Sequence, residues 1–324
     1  MGGGDLYSPF GELIPHLSDL ALHHTNFSST STLGGFHQLY GTSWTIAGII
    51  SYLCGFPLNM PIDGNDFKSK HFLSSATCIS DILASLNYEQ SIIAGTDFSF
   101  AGKRNFFESH HIKVMDLPFL QTQNLVPNPL PQDFYGAWSL KDAKMFDLAK
   151  TYLSEVNQPF ALYILNVDTH FPDGFVDKQT CPNLEDNYQN AITCTDKIIG
   201  DFIEFVQNSP LADNTTIVIL GDHLTMKQNF FPAKAKHRFI YNVFINAKFT
   251  QKPTKKLTKQ RQLSHFDITP LFLDSIGIKA EFFGLGRNPL YHKSLLESQF
   301  SIDELNEELK KRNKIYDSFW EVKQ

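Results

Sequence analysis

Three hydroxyls, Thr42, Ser43 and Thr45, stand directly before an apolar run over residues 46–53 that ends in Gly55. This order predicts a turn feeding a buried helix, with a hydroxyl at the helix N-terminus. There, unpaired backbone N–H groups and the positive end of the helix dipole meet an anion. The simpler alternative is an N-cap with no further role. Two other apolar segments stop in an acid and an imidazole: residues 160–167 lead into Asp168-Thr169-His170, and residues 215–220 into Gly221-Asp222-His223. An adjacent carboxylate and imidazole offer one oxygen and one nitrogen ligand, a pair suited to Mn²⁺ or Zn²⁺, with Mg²⁺ possible. A threonine alcohol is a poor nucleophile at neutral pH, and coordination to a divalent cation is one way to activate it. The combination predicts attack by Thr45 on an electrophile that is itself anionic, most simply a phosphate ester.

The elements that would carry these groups alternate. Helical spacing is expected over 13–22 and 79–86, a strand over 88–94, and a Pro-containing connection over 117–134. Ser139-Leu-Lys-Asp142 resembles a capping box opening a helix to about Val156. The run over 160–167 has the length and continuous apolarity of a strand buried on both faces of a parallel sheet. A long helix is expected over 187–208, strands over 215–220 and 239–246, and a helix over 266–276 with Asp267 as N-cap. A charged amphipathic helix over 301–317 closes the chain, within a helical tail over 295–324. Strand, helix, strand, helix with apolar strands predicts an α/β fold, a doubly wound, mostly parallel sheet sandwiched by helices. Ligands then bind beyond the carboxyl ends of the strands, where both acid–imidazole pairs fall.

Composition narrows the function classes. The chain has 324 residues, 42% hydrophobic and 19% charged, enough for a large α/β domain, and one domain over 1–324 is expected. A net charge of -6 leaves no basic field, so no nucleic-acid partner is expected. No apolar run reaches the roughly 20 residues that cross a bilayer. The four cysteines lack C-x-x-C spacing, which speaks against a cysteine zinc site. Cys181 and Cys194 flank a polar loop and are either a disulfide or two ordinary thiols. His23, His24, His110 and His111 read as surface or loop histidines. The basic run over 252–261 reads as a solvated loop, with contact to anionic lipid headgroups as the alternative.

Several stretches resemble motifs of the bacterial phosphoglycerol transferase I family within the alkaline phosphatase/sulfatase-like superfamily, more distantly related to lipoteichoic acid synthase. They are Gly41-Thr-Ser-Trp-Thr-Ile-Ala-Gly48, Phe100-Ala-Gly-Lys103, Val167-Asp-Thr-His-Phe-Pro-Asp-Gly174, Gly221-Asp-His-Leu224 and Phe283-Gly-Leu-Gly-Arg287. The likeness runs in order from about residue 6 to 292. It implies a metal-dependent transfer of phosphoglycerol from phosphatidylglycerol to a glucan, at the periplasmic face of the inner membrane. Thr45 would be the nucleophile, Thr45, Asp222 and His223 the metal site, and His170 the contact to the substrate phosphate. Lys103 would serve the phosphoglycerol group, and Asp168 and Arg287 would be further substrate-binding residues. Apart from the resemblance, His237 precedes an expected strand and either reaches the phosphate or belongs to a solvated turn. Relatives carry a first strand ending in a metal-ligand Glu. Its window falls here on Met-Gly-Gly-Gly-Asp5, where neither strand nor Glu is expected. Either the chain is a truncated product that also lacks the membrane helices, or Asp5 or Glu12 substitutes. The alternatives are a non-catalytic truncated homologue, or a phosphodiesterase or phosphoethanolamine transferase of the same superfamily. A sulfatase-type hydrolase fits less well, because its nucleophile is a converted Cys or Ser, and Thr45 is neither.

Overall fold

A computed structural model describes residues 2–3, 13–59, 72–138, 140–227, 230, 238–311 and 313–321. In chain order the elements are β1 (Gly2–Gly3), α1 (Pro15–His23), α2 (Thr45–Cys54), α3 (Ile79–Ser85), β2 (Glu89–Ala94), α4 (Lys103–Ser109) and β3 (Lys113–Met115). They continue with α5 (Leu117–Thr122), α6 (Asp142–Glu155), β4 (Phe160–Leu165), α7 (Tyr188–Gln207), β5 (Ile217–Leu220), β6 (Phe239–Ile240) and β7 (Asn242–Ile245). The last are α8 (Lys255–Thr258), α9 (His265–Ser275), β8 (Phe282–Phe283), β9 (Gly286–Arg287), α10 (Leu295–Ser298), α11 (Ile302–Leu309) and α12 (Lys314–Ser318). They fall into two compact units, one made of Met1–Pro61 with Asp213–Asp317, the other of Ile62–Ala212 with Ser318–Gln324.

In the first unit β5 pairs antiparallel with β7, Val218 opposite Phe244. The core joins Phe27, Phe36, Tyr52, Ile240, Phe244, Leu263, Ile268 and Leu271, with Phe27 set edge-on to Phe244 at 5.8 Å. Burial of this many large apolar side chains is the main stabilising term. Helices α2 and α9 pack on each other, and Thr269 Oγ1 donates to the Ser51 carbonyl at 3.0 Å. Helix α2 stops where the sequence predicts, at Gly55, whose φ of 73° is the left-handed cap that glycine adopts at no steric cost. The expected strand over 239–246 is broken into β6 and β7. At the interruption the Tyr241 carbonyl accepts from Gly221 N–H at 3.0 Å and the Tyr241 hydroxyl donates to Leu17 O at 2.7 Å. The expected closing helix is likewise two short ones, because Asn313 Oδ1 accepts from Tyr316 N–H at 3.0 Å and starts α12 afresh. Leu305 and Leu309 of α11 bury against Leu39 and Phe266, so that part of the tail belongs to this unit's core. Contrary to expectation, a strand does form at the start: Gly2 and Gly3 pair antiparallel with Ile240 and Phe239.

The second unit holds a parallel sheet in the order β3-β2-β4, with Ile92 opposite both Val114 and Tyr163. Central β2 is buried from Gln90 onward, whereas β4 is half-buried along its length and not fully buried as expected. Helix α6 packs on α7, with the Phe146 and Phe202 rings 5.0 Å apart. The connection over 117–134 contains a helix that the prolines hid, α5, with Pro118 in its first turn and Asp116 capping it. Cys181 and Cys194 form a disulfide, which ties the loop after β4 to α7.

The end of β4 is fastened to the start of α6 by two acids that bond reciprocally. Asp142 accepts from the N–H groups of Val167 (2.8 Å) and Asp168 (3.0 Å). Asp168 accepts from those of Asp142 (2.8 Å) and Ala137 (3.1 Å). Lys141 beside them is buried and reaches Asp177 (2.9 Å) and Gln179 (2.7 Å). Lys141 and not Ser139 is the N-cap of α6, and it makes no side-chain cap. Ser139 lies outside the described residues. Burial pushes the Asp142 carboxyl up to about 6. Burial, and then the charge of Asp142, push Asp168 to about 8. An acid raised in the folded state stabilises fully below its unfolded value of about 4 and loses that contribution as pH rises through the folded value. Denaturant titrations should therefore show the unfolding free energy of the wild type falling relative to that of Asp168→Asn between about pH 4 and 8. An identical pH profile in that variant would contradict the assignment.

Candidate active site

Thr45 opens α2 as its first helical residue. Trp44 occupies the N-cap position and no side chain caps the end. The Thr45 hydroxyl instead lies near the Asp222 carboxylate and helps hold its pKa down. Thr42 is fully buried and bonds both the N–H (3.1 Å) and the carbonyl (2.8 Å) of Leu39, which makes it structural. Ser43 is exposed. Of the three hydroxyls, Thr45 is the one brought to an acid.

Asp222 and His223 follow β5 at a turn held by Leu224 N–H on Gln38 Oε1 at 2.7 Å. His223 Nδ1 lies 2.9 Å from the Leu224 carbonyl, which only accepts, so Nδ1 carries a proton and Nε2 keeps the lone pair in the neutral ring. Nε2 faces Asp222 Oδ2 at 3.5 Å. Two acceptors facing each other call for a proton or a cation between them. Burial alone pushes the Asp222 carboxyl upward. The His223 imidazole, the His223 backbone N–H and the Thr45 hydroxyl outweigh it, leaving Asp222 below its usual value. The donor set of carboxylate, imidazole and hydroxyl therefore fits a divalent cation, and Asp222, His223 and Thr45 are the residues that would hold it.

The backbone of this turn is gripped from two helices. The Tyr52 hydroxyl donates to the Gly221 carbonyl, and His265 Nε2 donates to the Asp222 carbonyl at 2.9 Å. Their rings stack at 4.9 Å and 17°. Burial pushes the Tyr52 hydroxyl well up, and the Asp222 charge adds to it, so the proton stays on oxygen. Burial holds His265 down at about 4, so the ring is neutral. Gly48 on α2 leaves room for the approach, since a Cβ there would lie 2.2 Å from the Asp222 carbonyl oxygen. Tyr52 and His265 were missed in the sequence, although Thr45, Gly48 and Tyr52 fall on one helical face by spacing.

The other predicted residues are placed as follows. Arg287 on β9 donates its backbone N–H to Asp267 (2.9 Å) and its guanidinium to Ser298 Oγ (2.9 Å). Asp267 is not the N-cap of α9 but its third residue, in a capping box with Ser264. His237, Asp5 and Glu12 lie outside the described residues. In the second unit, Asp168 has both oxygens committed to backbone N–H groups. His170 donates Nδ1–H to the Phe171 carbonyl at 2.5 Å, leaving Nε2 for a second partner. Its ring meets Trp138, which is 61% exposed, at 4.5 Å. Lys103 opens α4 only 8% exposed, donating to the Phe100 carbonyl at 3.0 Å with its ammonium 4.7 Å from the Phe100 ring centre. Burial lowers its pKa to about 8. His110, expected near the surface, is buried between Asp81 (3.0 Å) and Cys78 Sγ (3.9 Å). Cys78, Asp81 and His110 have the spacing of a metal cluster among the described residues, but Cys78 is disulfide-bonded and offers no thiolate.

The chain matches the Sulfatase family profile over residues 6–278 and belongs to that family. It is 31% identical over 306 residues to phosphoglycerol transferase I of Salmonella choleraesuis, covering 91% of this chain and 38% of the relative. It is 32% identical over 302 residues to the Citrobacter koseri protein of the same name, covering 89% and 37%. The chain thus spans under two fifths of the length of these relatives. Its fold is similar to lipoteichoic acid synthase LtaP from Listeria monocytogenes, with TM-score 0.61 and 17% identity over 86% of this chain and 69% of that one. It is also similar to the zinc complex of the C-terminal periplasmic domain of Escherichia coli EcEptC, with TM-score 0.57 and 13% identity over 93% and 84%. The expected α/β fold of the alkaline phosphatase/sulfatase-like class is thereby established. Among the described residues no helix is long and apolar enough to cross a membrane.

Glycine to alanine inside a helix ordinarily gains up to about 1 kcal/mol. Gly48→Ala should do the reverse, costing roughly 1–3 kcal/mol in urea unfolding, because the new methyl must displace the Asp222 backbone. A stabilised variant would contradict the close approach.

Proposed function

We propose that the chain is a catalytic domain that transfers phosphoglycerol from phosphatidylglycerol to an acceptor hydroxyl, that of a glucan, through an ester on Thr45. The observation that carries this reading is the Thr45 hydroxyl beside the Asp222 carboxylate, next to a histidine whose Nε2 faces the same carboxylate at 3.5 Å. The likeness to phosphoglycerol transferase I supports phosphoglycerol as the group transferred; donor and acceptor follow the motif resemblance. In the first step Thr45 Oγ bonds to phosphorus and the bond from phosphorus to the diacylglycerol oxygen breaks. The proton lost by the Thr45 hydroxyl is balanced by the one gained by the departing diacylglycerol oxygen, so diacylglycerol leaves as the alcohol. In the second step the acceptor hydroxyl attacks the phosphorus and Thr45 Oγ leaves, restoring the alcohol. A divalent cation, Mn²⁺ or Zn²⁺, bound at Asp222, His223 and Thr45 would lower the hydroxyl pKa and stabilise charge on the phosphate.

The N-terminus of α2 points its free N–H groups toward the same end of the helix as Thr45. His170 is assigned to the phosphate and to proton transfer, and Lys103 to the glycerol group. Arg287 and Asp168, within matched motifs, and His237, by its place in the sequence just before Phe239, are assigned to substrate binding. Asp168, held by backbone N–H groups, would act by fixing the turn that bears His170. The setting proposed is the periplasmic face of the inner membrane, where phosphatidylglycerol is presented as a surface.

With phosphatidylglycerol vesicles and Mn²⁺, the chain should release diacylglycerol. Thr45→Ala should cut the rate by about 10³-fold or more and Thr45→Ser should keep part of it, as expected for loss or retention of a nucleophile. Release by Thr45→Ala at the wild-type rate would remove Thr45 from the chemistry. No release by the wild type would favour a non-catalytic homologue, and release from phosphatidylethanolamine alone would reassign the donor.

A further inference from the structure

Two consecutive carbonyls, of Gly221 and Asp222, leave the end of β5 and turn toward helices. Buried carbonyls must find donors, and here each finds a side chain. Tyr52 of α2 bonds the first and His265 of α9 the second, while the two rings stack on each other. Fixing both carbonyls fixes the planes of the peptides on either side of Asp222, and with them the direction in which its carboxylate leaves the chain. Thr45, Gly48 and Tyr52 lie three and four residues apart on one face of α2. The helix that presents the hydroxyl to Asp222 therefore also supplies the gap for its backbone and the hydroxyl that holds the preceding carbonyl.

We infer that Tyr52 and His265 are positioning residues that lock the Gly221–Asp222 peptide in register with Thr45, so that Asp222 and His223 are set for a cation before it arrives. The inference rests on Asp222 and His223 being metal ligands. Both rings bond backbone carbonyls of the turn. They act through the backbone, as outer partners of metal ligands do when they orient them.

The test uses the full chain and Mn²⁺ alone, with affinity read by titration calorimetry. Tyr52→Phe keeps the ring stack and removes only the hydroxyl. His265→Leu removes the donor, and His265→Gln restores one at a similar reach. Thr269→Val is the control, since it breaks a buried bond between α9 and α2 at the Ser51 carbonyl without touching the Asp222 turn. Tyr52→Phe and His265→Leu should each weaken Mn²⁺ binding by about 10-fold or more, the range seen when outer partners are lost. His265→Gln should recover most of the affinity and Thr269→Val should leave it unchanged at a comparable loss of thermal stability. Equal weakening in Thr269→Val would show general loosening and overturn the inference, as would wild-type affinity in Tyr52→Phe. If the wild type binds no Mn²⁺, the metal reading fails by itself. The register is then judged in the metal-free protein by the amide resonances of Thr45, Asp222 and His223. These should shift in Tyr52→Phe and His265→Leu but not in Thr269→Val, and unshifted resonances would sink the inference.

Discussion

The first unit is organised around a backbone contact, helix α2 lying against the Gly221–Asp222 peptide at the end of β5. The distance is set by what is missing from Gly48: any side chain there would occupy the place of the Asp222 carbonyl oxygen. Close approach brings an obligation, since a carbonyl removed from water needs a donor. Tyr52 and His265 meet it, and their packing places Tyr52 within the same core as Phe36, Phe244 and Ile268. The apolar core and the candidate site are therefore not separable here. The ring that buries area is also the one whose hydroxyl holds the strand end.

The second unit solves a similar problem with opposite chemistry. Asp168 and Asp222 both follow an apolar strand and both stand near a histidine, yet they do different work. Asp168 is fully buried, sits beside a second acid, and spends both oxygens on backbone N–H groups. Asp222 keeps a quarter of its side chain exposed and faces an imidazole and a hydroxyl. One carboxylate is pushed toward its neutral form and acts as a clamp. The other has its pKa held below the usual value, beside the His223 imidazole and the Thr45 hydroxyl. Like-looking motifs diverge because the fields around them differ.

Much of this was legible in advance. Strands β4 and β5, with their continuous apolar runs, strand β2, and helices with clear apolar spacing, α3, α7 and α9, fall where the sequence puts them. Gly55 ends α2 for a reason visible in its residue type. Local signals failed where a tertiary partner decides the outcome. Asp267 reads as a cap but stands three residues inside one that Ser264 begins. His110 reads as a surface residue, yet Asp81 and Cys78 are what make its burial affordable. Helix α5 was hidden because Pro118 is permitted in a first turn. Tyr52 and His265 left no mark as site residues, since their role is to bond backbone carbonyls, and any strand end has those.

On the proposed function Thr45, and no other hydroxyl of its cluster, attacks the phosphate ester. Peptide mapping of the chain after brief exposure to Mn²⁺ and phosphatidylglycerol addresses it directly. A glycerol phosphate increment is expected on Thr45 and should be absent when Asp222 is replaced by Asn. An increment on Ser43 or Thr42, or one that persists in Asp222→Asn at the wild-type level, would contradict it.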